Sequence, residues 1–299
     1  MFENIIGNLK IKTALEKSVN QNKVSHSYLF VGMQGIGKKM IATEFAKMLL
    51  CLDNKKYCNN CKSCIEFATE NNPDFLLISP EGNSIKIEQI RDIQKKIQEK
   101  PIISNKKVYI IDDADLMTQE AQNCLLNTLE EPPEFATIIL IGSNSNAFLP
   151  TIKSRCTIMN FDKITNDEMK QYLKKQYNID NIDENMIQMY QGSIGKAIEL
   201  KEKQEEYKNI EKIINNINQY DLVDFINNAE FLYKCKEEIN NVLDYINIIL
   251  LNKSKQEYLY TNCIEIVENT KKRLKQNANY DMSIDNMLFN IWEEVNWKI

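Results

Sequence analysis

An α/β domain with a parallel sheet and a phosphate loop, followed by an all-helical remainder, is the fold class this sequence predicts. Three observations carry it. Short apolar runs alternate with stretches of helical periodicity over residues 1 to about 160. The stretch GMQGIGKK (32–39) lies between the first of those runs and a helical stretch. From about residue 206 onward no strand-like run stands out.

The elements follow in chain order. YLFV (28–31) is a short apolar strand, and MIATEFAKMLL (40–50) after the glycine loop has helical spacing. DFLLIS (74–79) is a second buried strand. In IEQIRDIQKKIQEK (87–100), Ile87, Ile90, Ile93 and Ile97 share one helical face. KVYIID (107–112) is a third strand, and TQEAQNCLLNTLEE (118–131) is a helix closed by Pro132 and Pro133. ATIILIG (136–142) is a fourth strand. Strands this apolar belong to a mostly parallel sheet covered on both faces.

The second half is predicted helical. NDEMKQYLKKQY (166–177), DENMIQMYQ (183–191) and GSIGKAIELKEK (192–203) suggest a small helical domain. The stretch DLVDFINNAEFLYKCKEEINNVLDYINIILL also reads as helical. Near the end, Ile284, Met287, Leu288, Ile291, Trp292 and Val295 form an apolar stripe of helical period. That stripe needs a partner, either its own bundle or another subunit. The expected division is 1–160, 161–205 and 206–299.

Composition narrows the function classes. A chain of 299 residues has room for two or three domains. No window approaches about 18 uninterrupted apolar residues, so no membrane span is expected. The start, MFENIIGNLKIKTALEK, lacks the pattern of a secretion signal, and a cytoplasmic protein is expected. A net charge of -5 argues against a strong autonomous nucleic-acid binder, without excluding a local basic patch.

The glycine loop fits G-x-x-x-x-G-K-[ST] at Gly32, Gly37 and Lys38 but not at the last position, where Lys39 stands. Such a loop offers backbone N–H groups and a helix N-terminus to phosphate, Gly35 among its turn residues, and Lys38 could reach a terminal phosphate. Magnesium would need a hydroxyl at 39 and an aspartate after a later strand, and Asp112 fills the second role. Asp113 stands where a water-polarising glutamate is usual, one methylene shorter. Little or no intrinsic ATPase activity is expected. ATP or ADP binding stays open, as does a purely structural role for the loop.

Cys51, Cys58, Cys61 and Cys64 are spaced C-x6-C-x2-C-x2-C. Four thiolates suit tetrahedral structural zinc and leave no open position for catalysis. Another metal or free thiols are the alternatives. Cys124, Cys156, Cys235 and Cys263 lie in apolar contexts and read as core or near-core residues. Arg155, one of three arginines, follows the fourth strand. It is either an ordinary ion-pair residue or a guanidinium presented to a neighbour's phosphate. His26, the single histidine, reads as structural. Lys196 begins a helix, where it is an exposed lysine or a nucleotide neighbour. Arg91, Lys95 and Lys96 are a solvated helix face or phosphate contacts.

Together these pieces resemble a known family. FENIIGN (2–8), HSYLF (26–30), GMQGIGKK, the cysteine module, VYIIDDAD (108–115), NCLLNTLEEPP (123–133), LPTIKSRC (149–156) and GSIGKA (192–197) resemble the delta-prime subunits of bacterial DNA polymerase III clamp loaders. The likeness is to the low-GC Gram-positive forms and covers residues 1 to about 204. It implies a RecA-like AAA+ P-loop domain with a zinc module, a small helical lid domain and a helical collar domain. Gly32 to Lys39, Asp112 to Asp115 and Lys196 would then form a degenerate nucleotide site. Lys39 matches a lysine often seen there, and Lys196 stands where active relatives carry a sensing arginine. The first cysteine gap is shorter than in many relatives. Ser154, Arg155 and Cys156 match the trans-acting arginine motif, so Arg155 would serve an adjacent subunit.

The implied partners are tau or gamma and delta subunits, and through them the sliding clamp and primer–template DNA. The chain would be a non-hydrolysing member of a polymerase holoenzyme. Two alternatives stand beside this: an ATP-hydrolysing tau/gamma-type subunit, and an independent P-loop enzyme with a zinc module. A zinc-finger nucleic-acid module is weakened by YCNNCKSCIEFATE, which is not strongly basic.

Overall fold

The computed structural model of the chain describes residues 2, 5–53, 58–179 and 182–297. The backbone divides into two compact units. One comprises Met1–Asn178 with Gly192–Gly195; the other comprises Ile179–Gln191 with Lys196–Ile299.

The first unit is an α/β layer structure. Its elements are α1 (Leu9–Asn20), β1 (Ser27–Val31), α2 (Lys38–Leu50), α3 (Lys62–Ala68), β2 (Phe75–Ile78), α4 (Ile87–Ile97), β3 (Lys107–Ile111), α5 (Gln119–Glu130), β4 (Ala136–Gly142), α6 (Pro150–Lys153), β5 (Thr157–Asn160) and α7 (Asn166–Tyr177). The five strands form one parallel sheet in the order β2-β3-β4-β1-β5. The four strands read from apolar runs are all present. The fifth was missed because TIMN is mostly exposed along an edge and carries no buried run. Helix α1, which buries only Ile11 and Leu15, is a further element beyond those predicted.

Strand alternation sends side chains into two cores, since successive residues point to opposite faces. Tyr28, Phe30, Val108, Ile110, Ile139 and Ile141 pack with Ile41 and Phe45 of α2 and Leu15 of α1. Leu29, Val31, Tyr109, Ile111, Ile138 and Leu140 pack with Ile90 and Ile93 of α4 and Leu125 of α5. Each such fully buried side chain contributes about 1.5–3 kcal/mol. The central strands are buried on both faces, as parallel strands covered by helices must be.

Every strand runs the same way, so the strand C-termini share one edge. The glycine loop leaves β1 at that edge, and Asp112 leaves β3 there. The register places Tyr28 beside Thr157 and Val31 beside Asn160. Residues just before β5 therefore lie at the opposite edge.

The second unit has no strand among its described residues. It contains α8 (Glu184–Tyr190), most of α9 (Ile194–Glu199), α10 (Gln204–Asn215), α11 (Leu222–Asn228), α12 (Ile239–Ser254), α13 (Tyr260–Lys275) and α14 (Tyr280–Asn296). The run read as one helical stretch from 221 is broken by a 3-10 turn at Glu230–Lys234. The terminal stripe finds its partner within this bundle: Ile284, Met287, Leu288, Ile291 and Val295 are buried, and α14 packs on α11 and α13. Trp292 is half-buried, and its indole N–H donates to Tyr220 O at 2.9 Å.

Candidate functional site

The glycine loop joins β1 to α2 at the carboxyl edge of the sheet, where ligands bind in open α/β sheets. Gly37 caps α2 with φ 91°, a left-handed conformation that a side chain would strain. Gly35 has φ 76°, and a Cβ there would lie 2.1 Å from Ser193 Oγ. The Gly195 N–H donates to Gly35 O at 3.1 Å. Ser193 and Gly195 thus brace the loop from the GSIG turn, a contact sequence reading had not anticipated.

Lys38 is buried and turns back on its own loop. Its ammonium donates to Gly32 O at 2.5 Å, to Met33 O at 2.7 Å and to Ser143 Oγ at 3.5 Å. Burial lowers its pKa below the usual lysine range, against the attraction of Asp115, Asp113 and Asp112. The next residue, Lys39, sits 2.9 Å from Asp112 Oδ2. A cation covalently part of the chain therefore engages the carboxylate expected to hold magnesium.

Asp113 adopts φ 45° at the start of a 3-10 turn. Burial raises its pKa, and the like charges of Asp112 and Asp115 add to the rise. Asp115 accepts from the Ser143 and Asn144 N–H groups, each at 3.0 Å, and so ties the turn after β3 to the end of β4. The loop residues, Lys39, Asp112 and Asp113 are thus brought to one place. Lys196 belongs to the second compact unit, on α9.

The four cysteines converge, although 54–57 between them lie outside the described residues. Their Sγ atoms all fall within 4.8 Å of one another, and Cys51 Sγ is 3.6 Å from Cys58 Sγ. Tetrahedral zinc with Zn–S bonds of about 2.3 Å requires sulfurs about 3.8 Å apart, so the donor set fits. The Cys61 N–H donates to Cys58 Sγ at 3.3 Å, a bond that favours a thiolate. Burial raises Cys64 to about 12; it also opposes ionisation of Cys61, which hydrogen bonds from the Leu52 and Cys64 backbones nevertheless bring down to about 6. These four residues could hold a tetrahedral metal.

Behind this module lies a polar anchor that sequence reading missed. Asp74 is 1% exposed and accepts from the N–H groups of Ile102, Ile103 and Ser104 at 2.7, 2.8 and 2.7 Å. Ser104 Oγ meets Ser63 Oγ of α3 at 2.8 Å, and Asn72 donates to Ser63 O at 2.9 Å. Only an aspartate just before a strand hinted at this, and its partners lie about 30 residues away.

Arg155 precedes β5, at the sheet edge opposite the glycine loop. The four residues of β5 put about 13 Å of strand between those edges. Its Nη2 pairs with Glu130 Oε1 at 2.5 Å, and its Nη1 donates to Thr151 O at 3.0 Å and Ser154 Oγ at 3.3 Å. The ordinary ion pair considered from sequence is therefore present, and the chain's own loop is out of reach. His26 is exposed; its backbone carbonyl accepts from Ile138 N at 2.8 Å, a bond that does not depend on the imidazole. Arg91, Lys95 and Lys96 lie on the solvent face of α4, opposite Ile90, Ile93 and Ile97. Cys263 is buried, and Cys124, Cys156 and Cys235 are half-buried. No helix among the described residues is long and apolar enough to cross a membrane. In the resembling stretch FENIIGN, Glu3 and Asn4 lie outside the described residues.

Comparison with known proteins follows the same lines. Residues 7–165, just over half of the chain, match the family model described as DNA polymerase III, delta subunit. The DNA polymerase III subunit delta' of Bacillus subtilis is 37% identical over 52% of this chain and 47% of its own length. The DNA polymerase III subunit tau of Bacillus subtilis is 34% identical over 64% of this chain and 34% of its own. This chain thus spans at most about half the length of these curated relatives. A crystal structure of a DNA polymerase III gamma subunit-related protein from Thermotoga maritima superposes with a TM-score of 0.48 at 19% identity, covering 95% of this chain and 98% of that one. The family match, over the residues that build the sheet, the cysteine cluster and the glycine loop, places this chain in the DNA polymerase III delta-subunit family, as a relative of its delta-prime clamp-loader subunits.

Proposed function

We propose that this chain is a non-hydrolysing clamp-loader subunit that works through a neighbour's nucleotide. The observation that carries the reading is the Lys39–Asp112 ion pair, which sets an ammonium where magnesium would need a hydroxyl and a free carboxylate. Nucleotide at Gly32, Gly35, Gly37 and Lys38 is compatible with this reading; hydrolysis there is not. Arg155 then acts as an arginine finger for an adjacent tau or gamma ATPase site. Its distance along the sheet from its own loop supports action in trans.

The wider reading follows from the family. The chain assembles with tau or gamma and delta subunits in the cytoplasm, helps to load the sliding clamp onto primer–template DNA, and carries one structural zinc on Cys51, Cys58, Cys61 and Cys64. Its working division is 1–160 for the nucleotide-type domain, 161–205 for a lid and 206–299 for an oligomerising collar. The test is reconstitution with tau or gamma and delta, with and without Arg155→Ala. Assembly should survive. The clamp- and DNA-stimulated ATPase should fall, on the order of 10³-fold or more at the site served. An unchanged rate would remove the finger role.

The similarity to tau favours a second reading, an ATP-hydrolysing subunit. That reading requires magnesium at Asp112 in competition with Lys39, and phosphate release by the isolated chain separates the two.

A further inference from the structure

The segment that carries Arg155 is held at both ends by α5. Near the start of that helix, Gln122 accepts from the Leu149 N–H and donates to Ala147 O, both at 2.9 Å. At its last residue, Glu130 meets Arg155. Eight residues of helix span about 12 Å, so α5 acts as a rigid bracket across the turn, α6 and the arginine.

Glu130 is in an unfavourable place for a carboxylate. The C-terminal end of a helix carries a partial negative charge, and no basic residue stands in the last turn of α5. Nothing local to the helix calls for an acid there, whereas Arg155 does. With Nη2 on Glu130 and Nη1 on Thr151 O and Ser154 Oγ, the plane of the guanidinium is fixed. The pair remains accessible to water, with side-chain exposures of 32% for Arg155 and 47% for Glu130. A half-exposed pair of this kind is weak and exchangeable.

We propose that Glu130 is a positioning residue for Arg155. It holds the guanidinium fork in one orientation before docking and yields it to the phosphoryl oxygens of a nucleotide bound by the neighbouring subunit. The exchange replaces one hydrogen-bond acceptor by another, and no covalent bond forms or breaks in this chain. Holding the fork in advance removes ordering that would otherwise fall on the docking step. The inference rests on the finger reading of Arg155.

The experiment uses the reconstituted assembly with four versions of this chain: Glu130→Ala, Glu130→Gln, Arg155→Ala and the Glu130→Ala/Arg155→Ala double variant. The expected results are a stimulated kcat about tenfold lower for Glu130→Ala at unchanged KM for ATP, and partial recovery in Glu130→Gln, which keeps an acceptor oxygen. In the Arg155→Ala background, Glu130→Ala should cost nothing further. A wild-type or faster rate for Glu130→Ala beside a slow Arg155→Ala would overturn the positioning role while leaving the finger intact. An equal loss from Glu130→Ala in both backgrounds would overturn it too, because Glu130 would then act without Arg155. Should Glu130→Ala fail to fold, Glu130→Met, close in size and without an acceptor oxygen, carries the same comparison. A full rate in Arg155→Ala would instead sink the finger reading.

Discussion

Lys39 Nζ stands 2.9 Å from Asp112 Oδ2, across the space between the start of α2 and the end of β3. Replacing that ammonium by a hydroxyl should release the carboxylate and supply the missing magnesium ligand. Lys39→Thr is expected to raise affinity for magnesium–ATP at least about tenfold by isothermal titration, a gain of about 1.4 kcal/mol. Turnover should stay absent, since Asp113 still lacks the reach of glutamate. No gain in affinity would show that Lys39 is not what keeps magnesium–ATP from the loop.

Asp113 gives a pH signature. Its folded pKa is raised, so its charged form is destabilised by folding, and its contribution is most favourable below the unfolded value of 3.8 and is lost as pH rises through the folded pKa. Asp113→Asn should therefore raise Tm at pH 7, with the advantage shrinking as pH falls toward 3.8. Asparagine also tolerates the left-handed backbone at this position. A thermal melt series across that range decides it; a gain that persists unchanged at low pH would point to backbone conformation rather than charge.

Asp74→Ala should destabilise the first unit by about 3–5 kcal/mol, because three backbone N–H groups lose a charged acceptor. Chemical denaturation followed by circular dichroism measures it. A loss under about 0.5 kcal/mol, the range of ordinary surface changes, would show that water replaces the carboxylate without cost.

Metal analysis should find one zinc per chain. Cys58→Ser removes both a ligand and the acceptor of the Cys61 N–H. Where free zinc stands a hundredfold above Kd, losing the ion costs about 2.7 kcal/mol, visible as a lower Tm. Zinc-free protein with an unchanged Tm would assign the cysteines another role.

What the sequence made legible follows from where the information lies. The apolar runs YLFV, KVYII and ATIILIG are buried strands, and burial is what a run of such residues encodes; FLLI is also a strand but lies at the sheet edge, with Ile78 buried and Leu77 exposed rather than buried throughout. Thr157–Asn160 joined the sheet by pairing with β1 alone, so no apolar run announced it. The glycine loop, its aberrant lysine and the cysteine spacing were local motifs and were readable as such. The Lys39–Asp112, Arg155–Glu130 and Asp74–Ser104 relationships join residues 25 to 73 positions apart. Only the folded sheet brings them together.

The central claim is that a built-in cation has displaced the magnesium chemistry of this loop. The most direct test is phosphate release by the isolated chain with ATP and magnesium, alongside Lys38→Ala as a control. No release above that control is expected. Saturable, magnesium-dependent release that Lys38→Ala abolishes would contradict it.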